Sequence, residues 1–381
     1  MTAKQMTVAV LGLGAMGSAA AATLARRGCK VIGFEQFWRA HNQGSSHGDT
    51  RAIRKAYVRE EQYAPLVLEA YDLWMRLERD TGADLLREIG GLVVAPANGQ
   101  TLDRSVATAT KYGIPYEVLG PSEVTKRWPT MHPPAGTSTF YERSQSIMPP
   151  EKTVATHIEL AVRHGADLHF NTPVSSWTHT QQGVELKVGD QIIAADKLII
   201  AGGAWSEGLF ADLFPVKCER LFQVWVKPDT DTAAFSVTHH PRWVLENSDG
   251  RTAYAFPILE GQDSIKMAFT AGAASDTENL ERAALPGEVE TLVSFMSELV
   301  PSIRGKGASQ VAACFSGKAA DDNFIIGPHP MCSNVIVASG FGSHGFKFVP
   351  VIGEILADLA LDGTTNRDIS LFDPSRFARQ P

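Results

Sequence analysis

At 381 residues the chain is long enough for two domains, and 44% hydrophobic with 20% charged residues is the balance expected of a globular protein in water. A formal charge of −7 favours solubility and argues against a non-specific nucleic-acid partner. No apolar run approaches the roughly 18 residues needed to span a bilayer, and only Lys4 is charged ahead of the first strand, so neither a membrane anchor nor a signal peptide is expected.

Residues 6–11 form a short apolar run ending at Gly12, the pattern of a buried parallel strand. An alanine-rich stretch from Ser18 to Arg27 closes on Gly28 and reads as a helix with a glycine stop. Val31 to Phe34 gives a second strand. The spacing of Leu66, Leu68, Tyr71, Leu73, Trp74 and Leu77 predicts an amphipathic helix over Tyr63–Asp80. Residues 85–149 read as short strands and proline-bearing turns around Trp128-Pro129 and His132-Pro133-Pro134. A helix is expected from Glu151 to Gly165, followed by strands that end at Leu198–Ala201. Residues 216–313 read as strand-rich with one helical stretch near Glu288–Leu299. The chain closes with a strand at Val335–Ala338, a glycine-rich turn from Gly340 to Gly345, and a helix to about Leu361.

Nucleotide-domain signals thus fall in separated pieces. We expect an α/β (α+β overall) fold: a Rossmann-like domain from 1–84, 150–215 and 315–381, with an antiparallel, sheet-rich substrate domain from 85–149 and 216–314 inserted into it. Cys29, Cys218, Cys314 and Cys332 show no disulfide framework, which points to a reducing compartment. The eleven histidines and 42 acidic residues show no zinc-like spacing, and no metal is expected. Ala378 to Pro381 is not a peroxisomal address, so the cytoplasm is the expected location.

Gly12, Gly14 and Gly17 fit G-x-G-x-x-G directly after a strand and before a helix. Gly12 permits the tight turn, Gly14 lets backbone approach a pyrophosphate, and Gly17 lets helix and strand pack closely. The helix start offers unpaired N–H groups to the phosphates. Glu35 ends the second strand where a carboxylate accepts hydrogen bonds from ribose hydroxyls. A bare glycine turn is the competing reading, and the strand, helix and acid together weigh against it. An acid here suits NAD and FAD alike.

Three further segments bear on that choice: Ser45 to Arg54, containing His47, Thr50 and Arg51; Ala313 to Ser316 with Asp322 to Pro330; and Ser339 to Phe348. Together they resemble the monomeric sarcosine oxidase and N-methyltryptophan oxidase family, flavoenzymes of the D-amino-acid-oxidase-like superfamily, nearly end to end. The resemblance implies FAD, attached through a thioether from Cys314 to the 8α carbon; a buried structural cysteine is the alternative. It extends the cofactor contacts to Ser45, His47, Thr50, Val174, Gly202, Gly340, Gly342, Gly345 and Lys347. It implies that Arg54 and Lys347 hold a substrate carboxylate, that Arg51 lies over the flavin ring, and that Lys266 near flavin N5 activates O₂. Tyr254 matches another active-site position, although a ring packed in a strand explains it equally. For the cations the alternative is a solvated side chain.

The activity implied is oxidation of a secondary amine: hydride passes to flavin N5, the imine hydrolyses, and O₂ becomes hydrogen peroxide. Two positions depart from the family's sarcosine enzymes, with Phe269-Thr270 in place of a histidine and Ser316 in place of an aromatic hydroxyl. Both imply a pocket roomier than, or shaped differently from, the one sarcosine needs, leaving larger N-methyl amino acids, cyclic imino acids and glycated amino acids as candidates. A dehydrogenase with an acceptor other than O₂ and a non-catalytic FAD-bearing subunit are the competing functions. A monomer is expected.

Overall fold

The computed structural model describes residues 5–210 and 213–377; Lys4 and the C-terminal Ala378 to Pro381, read above for targeting, lie outside them. The strand Thr7–Leu11 runs parallel to Lys30–Phe34 on one side and Lys197–Ile200 on the other. Lys197–Ile200 pairs in parallel with Cys332–Ser339. Asp167–His169 and the antiparallel Ile325–His329 form the edges of this six-stranded sheet. The helix Ala15–Arg26 is buried from Ala15 to Ala25 because two other helices, Pro150–Arg163 and Val349–Asp362, pack on it. Its alanines make that contact close: a Cβ on Gly353 would come within 2.9 Å of Ala19 Cβ. A helix of small side chains is what a three-way helical contact requires. No helix among the described residues is long and apolar enough to cross a membrane.

The second large sheet has nine strands. Val216–Val226 pairs with Gln310–Ala319 along its length and with Ile265–Phe269. Thr252–Phe256, Arg242–Glu246 and Gly91–Pro96 follow, the last two in parallel. One face carries Val224, Trp243, Leu245, Ala253, Ala255 and Met267, which pack with Leu292 and Met296 of the helix Glu288–Met296 into one core. The other face therefore belongs to the alternate residues of the same strands.

Two expectations are corrected. Residues 85–149 contain two helices, Gln100–Lys111 and Pro121–Arg127, beside their strands. The first buries only Leu102, Ser105 and Ala109 and carries Thr101, Thr108 and Thr110, so neither apolar periodicity nor propensity marks it. The boundary after Cys314 falls inside the strand Gln310–Ala319, whose pairing with Val216–Val226 is continuous from Gln310 to Ala319. A ladder of that length holds residues 315–319 in the second sheet.

Candidate functional site

The two sheets meet across a cavity of about 750 Å³, in the upper part of the range for small-molecule sites. At one end lie Gly12, Leu13, Gly14 and Glu35. Gly12 has φ +86°, and a Cβ there would stand 2.5 Å from the Ala201 carbonyl oxygen. Gly14 has open space where its Cβ would be, so its backbone is accessible to a phosphate. Gly17 does not line the cavity; a Cβ on it would collide with the Gly12 carbonyl, so its task is helix packing. Glu35 Oε2 accepts from Leu13 N at 2.9 Å and Oε1 from Phe37 N at 3.1 Å. A carboxylate has about four acceptor sites, which leaves capacity for a diol. These features fit an adenosine pyrophosphate. Val174 and Gly202 continue the wall toward the second sheet, and Gly340, Gly342 and Gly345 complete it. Gly340 and Gly342 have positive φ, and Gly342 N donates to the Gly317 carbonyl at 2.9 Å, which ties the turn to the neighbouring strand.

At the other end the wall is the second sheet's free face. Leu221, Gln223, Arg242, Val244, Tyr254 and Phe256 line it with Cys314 and Ser316. Period-2 alternation and register bring them together: Val244 lies opposite Tyr254, and Leu221 opposite Cys314. Cys314 is only 2% exposed. Arg51 Nη2 and Gln223 Nε2 both reach its sulfur at 3.3 Å, and His47 Nε2 is 3.5 Å away. Burial alone would raise this thiol; Arg51, His47 and Lys266 outweigh it and bring it down to about 7. Such a thiol is thiolate in substantial part at neutral pH, the form that acts as a nucleophile.

Arg51 is fixed from behind, donating to the carbonyls of Thr50 at 2.7 Å and Ser45 at 2.5 Å. Lys266 donates to the carbonyls of Gly48 and Thr50, the latter at 3.0 Å, and to the Thr50 hydroxyl at 3.1 Å. It is 3% exposed, and burial, followed by Arg51, lowers its ammonium to about 7. Thus His47, Thr50 and Lys266 stand behind the cavity wall rather than on it. Glu151 closes the same loop by accepting from Gly48 N at 2.5 Å.

Arg54 and Lys347 do line the cavity, and the solvated reading of Lys347 fails. Its amine donates to the His344 carbonyl at 2.6 Å and lies 5.1 Å from the Tyr57 ring centre. Burial, then Arg54 and the neighbouring arginines, pushes it well below the usual lysine range. Arg54 Nη1 is buried without a hydrogen-bond partner among the described residues. The structure also brings in Gln223, Arg242 and Tyr57, which no local motif marks. The alternation of Arg242, Val244 and Glu246 with Trp243 and Leu245 is the signal that separates the two faces of that strand.

A model of the FAD dependent oxidoreductase (DAO) family matches residues 7–359. A monomeric sarcosine oxidase of Streptomyces avermitilis is 39% identical over 378 residues, 98% of each chain. An N-methyl-L-tryptophan oxidase of Salmonella heidelberg is 32% identical over 374 residues, 97% of this chain and 98% of its own. Among solved structures, NikD, an unusual amino acid oxidase essential for nikkomycin biosynthesis, shares the fold with a TM-score of 0.84 at 22% identity, over 97% of this chain and 98% of its own.

Proposed function

Because this chain belongs to the FAD-dependent oxidoreductase family, in the group of the monomeric sarcosine and N-methyltryptophan oxidases, we propose that it oxidises an N-substituted amino acid with O₂ as electron acceptor. The observation that carries the reading is Arg54, a buried guanidinium on the cavity wall with Nη1 unpartnered among the described residues and Lys347 for a neighbour. Leaving a buried cation unpaired is costly, and a carboxylate matches the guanidinium fork.

FAD, when bound, supplies the acceptor for a hydride from the carbon beside the amine and returns the electrons to O₂ as peroxide. The protein's part is placement and charge. Gly12, Gly14 and Glu35 hold the nucleotide end, and Cys314, with its lowered thiol, is the attachment point. Arg54 and Lys347 hold the substrate carboxylate. The surrounding cations disfavour a positive charge nearby, so the substrate amine is held in its neutral form, with its lone pair free. Tyr254, Thr270 and Ser316 bound the space around it, and Thr270 and Ser316 leave room for a substituent larger than that of sarcosine. The four free, buried cysteines support a reducing, cytoplasmic setting, and we take the working unit to be a monomer.

The test is an anaerobic screen of N-methyl and cyclic amino acids. Bleaching of the flavin by carboxylate-bearing secondary amines, followed by peroxide release on admitting air, is the expected result; no bleaching by any of them overturns the reading. Acid-precipitated protein is expected to stay yellow, and Cys314→Ser to yield a colourless pellet. One observation favours a second reading, electron transfer to another acceptor: Lys266 Nζ is engaged with Gly48 and Thr50 instead of facing the cavity. Slow reoxidation in air-saturated buffer selects that reading.

A further inference from the structure

We propose that the substrate carries two carboxylates, with Arg54 and Lys347 holding one and Arg242 the other. This rests on the oxidase reading above and narrows it to a substrate class, the N-substituted amino dicarboxylic acids.

Arg242 opens the strand Arg242–Glu246 and lies opposite Gly91 on one side. It is on the face that carries Val244, whose cross-strand partner is Tyr254, and it lines the cavity while only 6% exposed. Its Nη1 donates to Gln145 Oε1 at 2.9 Å, but its Nε is buried without a partner among the described residues. A purely structural arginine at such depth is expected to have its donors filled. Burial, then Arg54, lowers this guanidinium to about 9, which leaves it charged at neutral pH.

Among the described residues, the charged groups around it offer no free carboxylate to fill that donor. Arg51 is engaged with Ser45, Thr50 and Cys314, and Arg59 with Asp322. Arg54, Arg242 and Lys347 remain. The carboxylate whose charge acts on both Arg54 and Arg242 is Glu142. Its oxygens already accept from Lys55 N at 3.0 Å, Ala56 N at 3.3 Å, Ser144 Oγ at 2.7 Å and Gln145 Nε2 at 3.4 Å. The charged groups acting on Lys347 are cations: Arg54, Arg59, Arg242 and Arg51. A substrate with one carboxylate occupies Arg54 and Lys347 and leaves the buried Arg242 Nε without a partner among the described residues. A second carboxylate gives Arg242 the bidentate partner its geometry suits.

The experiment compares glutarate with pentanoate, acids of equal chain length, by the absorbance change of the flavin in the purified holoenzyme. We expect glutarate to bind at least about tenfold tighter, the scale of one added charge-assisted pair. In Arg242→Gln that ratio is expected to fall toward one, and in Arg242→Lys to stay above it. Equal affinities in the wild-type enzyme overturn the inference whatever the variants do, and so does an undiminished ratio in Arg242→Gln. Substrates separate this failure from that of the oxidase reading. If N-methylalanine bleaches the flavin anaerobically and neither N-methylaspartate, N-methylglutamate nor iminodiacetate exceeds it in kcat/KM, only the dicarboxylate inference falls. If none of the four bleaches it, the oxidase reading falls with it. Among the diacids, the better substrate tells whether the second carboxylate sits on the side chain or on the nitrogen.

Discussion

The two ends of the cavity are built on opposite principles. At the nucleotide end the groups offered are backbone N–H donors and one carboxylate, and what matters is the absence of side chains at Gly12 and Gly14. At the sheet end the groups are long cationic side chains, buried and only partly paired among the described residues, from segments far apart in sequence. The first is a shape that fits one cofactor. The second is a surplus of charge awaiting a ligand, and its specificity is set by which cations find partners. A binding site of the first kind tolerates little steric change, whereas one of the second kind is retuned by exchanging single charges.

The largest effect is expected from steric change at the nucleotide end. In Gly17→Ala the added methyl collides with the Gly12 carbonyl, which belongs to backbone and cannot yield. We expect protein purified largely without flavin and destabilised by about 2–4 kcal/mol, read from the flavin-to-protein absorbance ratio and thermal melting. Normal flavin content would show that the turn is looser than the other glycine contacts require. At the cationic end, Arg54→Met or Lys347→Met is expected to weaken carboxylate binding by about 2–3 kcal/mol, or roughly 30- to 150-fold, with flavin content retained. Unchanged affinity in both variants would remove the carboxylate assignment.

Between the two ends, Cys314 offers a pH test in flavin-free protein. Its thiol is brought down to about 7, while burial pushes Cys218 up to about 11. The thiolate is the reactive form, so alkylation at Cys314 should rise with pH around a midpoint near 7 while Cys218 stays inert until strongly alkaline pH. Arg51→Gln is expected to move the Cys314 midpoint up toward the ordinary thiol range; an unmoved midpoint would place the cause elsewhere. The smallest effect belongs outside both ends. Glu260→Gln breaks an exposed pair with Arg87 and should change stability by less than about 0.5 kcal/mol, with flavin spectra unaltered.

Legibility followed the same division. The turn from Gly12 to Gly17 and the acid at Glu35 were readable because their requirements are local: a positive φ, a close approach, a carboxylate at a strand end. The helix Tyr63–Thr81 was readable from periodic apolar residues, and Pro150–Arg163 and Glu288–Met296 were readable as helical stretches. Gln100–Lys111 was not, because it lies on the sheet through a narrow face with few apolar residues. Arg242 stands alone in its stretch of sequence and reads as an ordinary strand-end charge. Lys266 was marked by resemblance, but its direction toward Gly48 and Thr50 depends on where the loop after Glu35 crosses the sheet.

By itself, then, the sequence determined the nucleotide-binding turn and the family, since each is carried by short local segments. Only the tertiary structure decided which cations stay unpaired. Cross-strand register sets Val244 against Tyr254 and Leu221 against Cys314, and burial of the opposite face turns Arg242 inward. Electrostatic balance in a low-dielectric site is a property of everything packed around it. No stretch of chain encodes that balance alone.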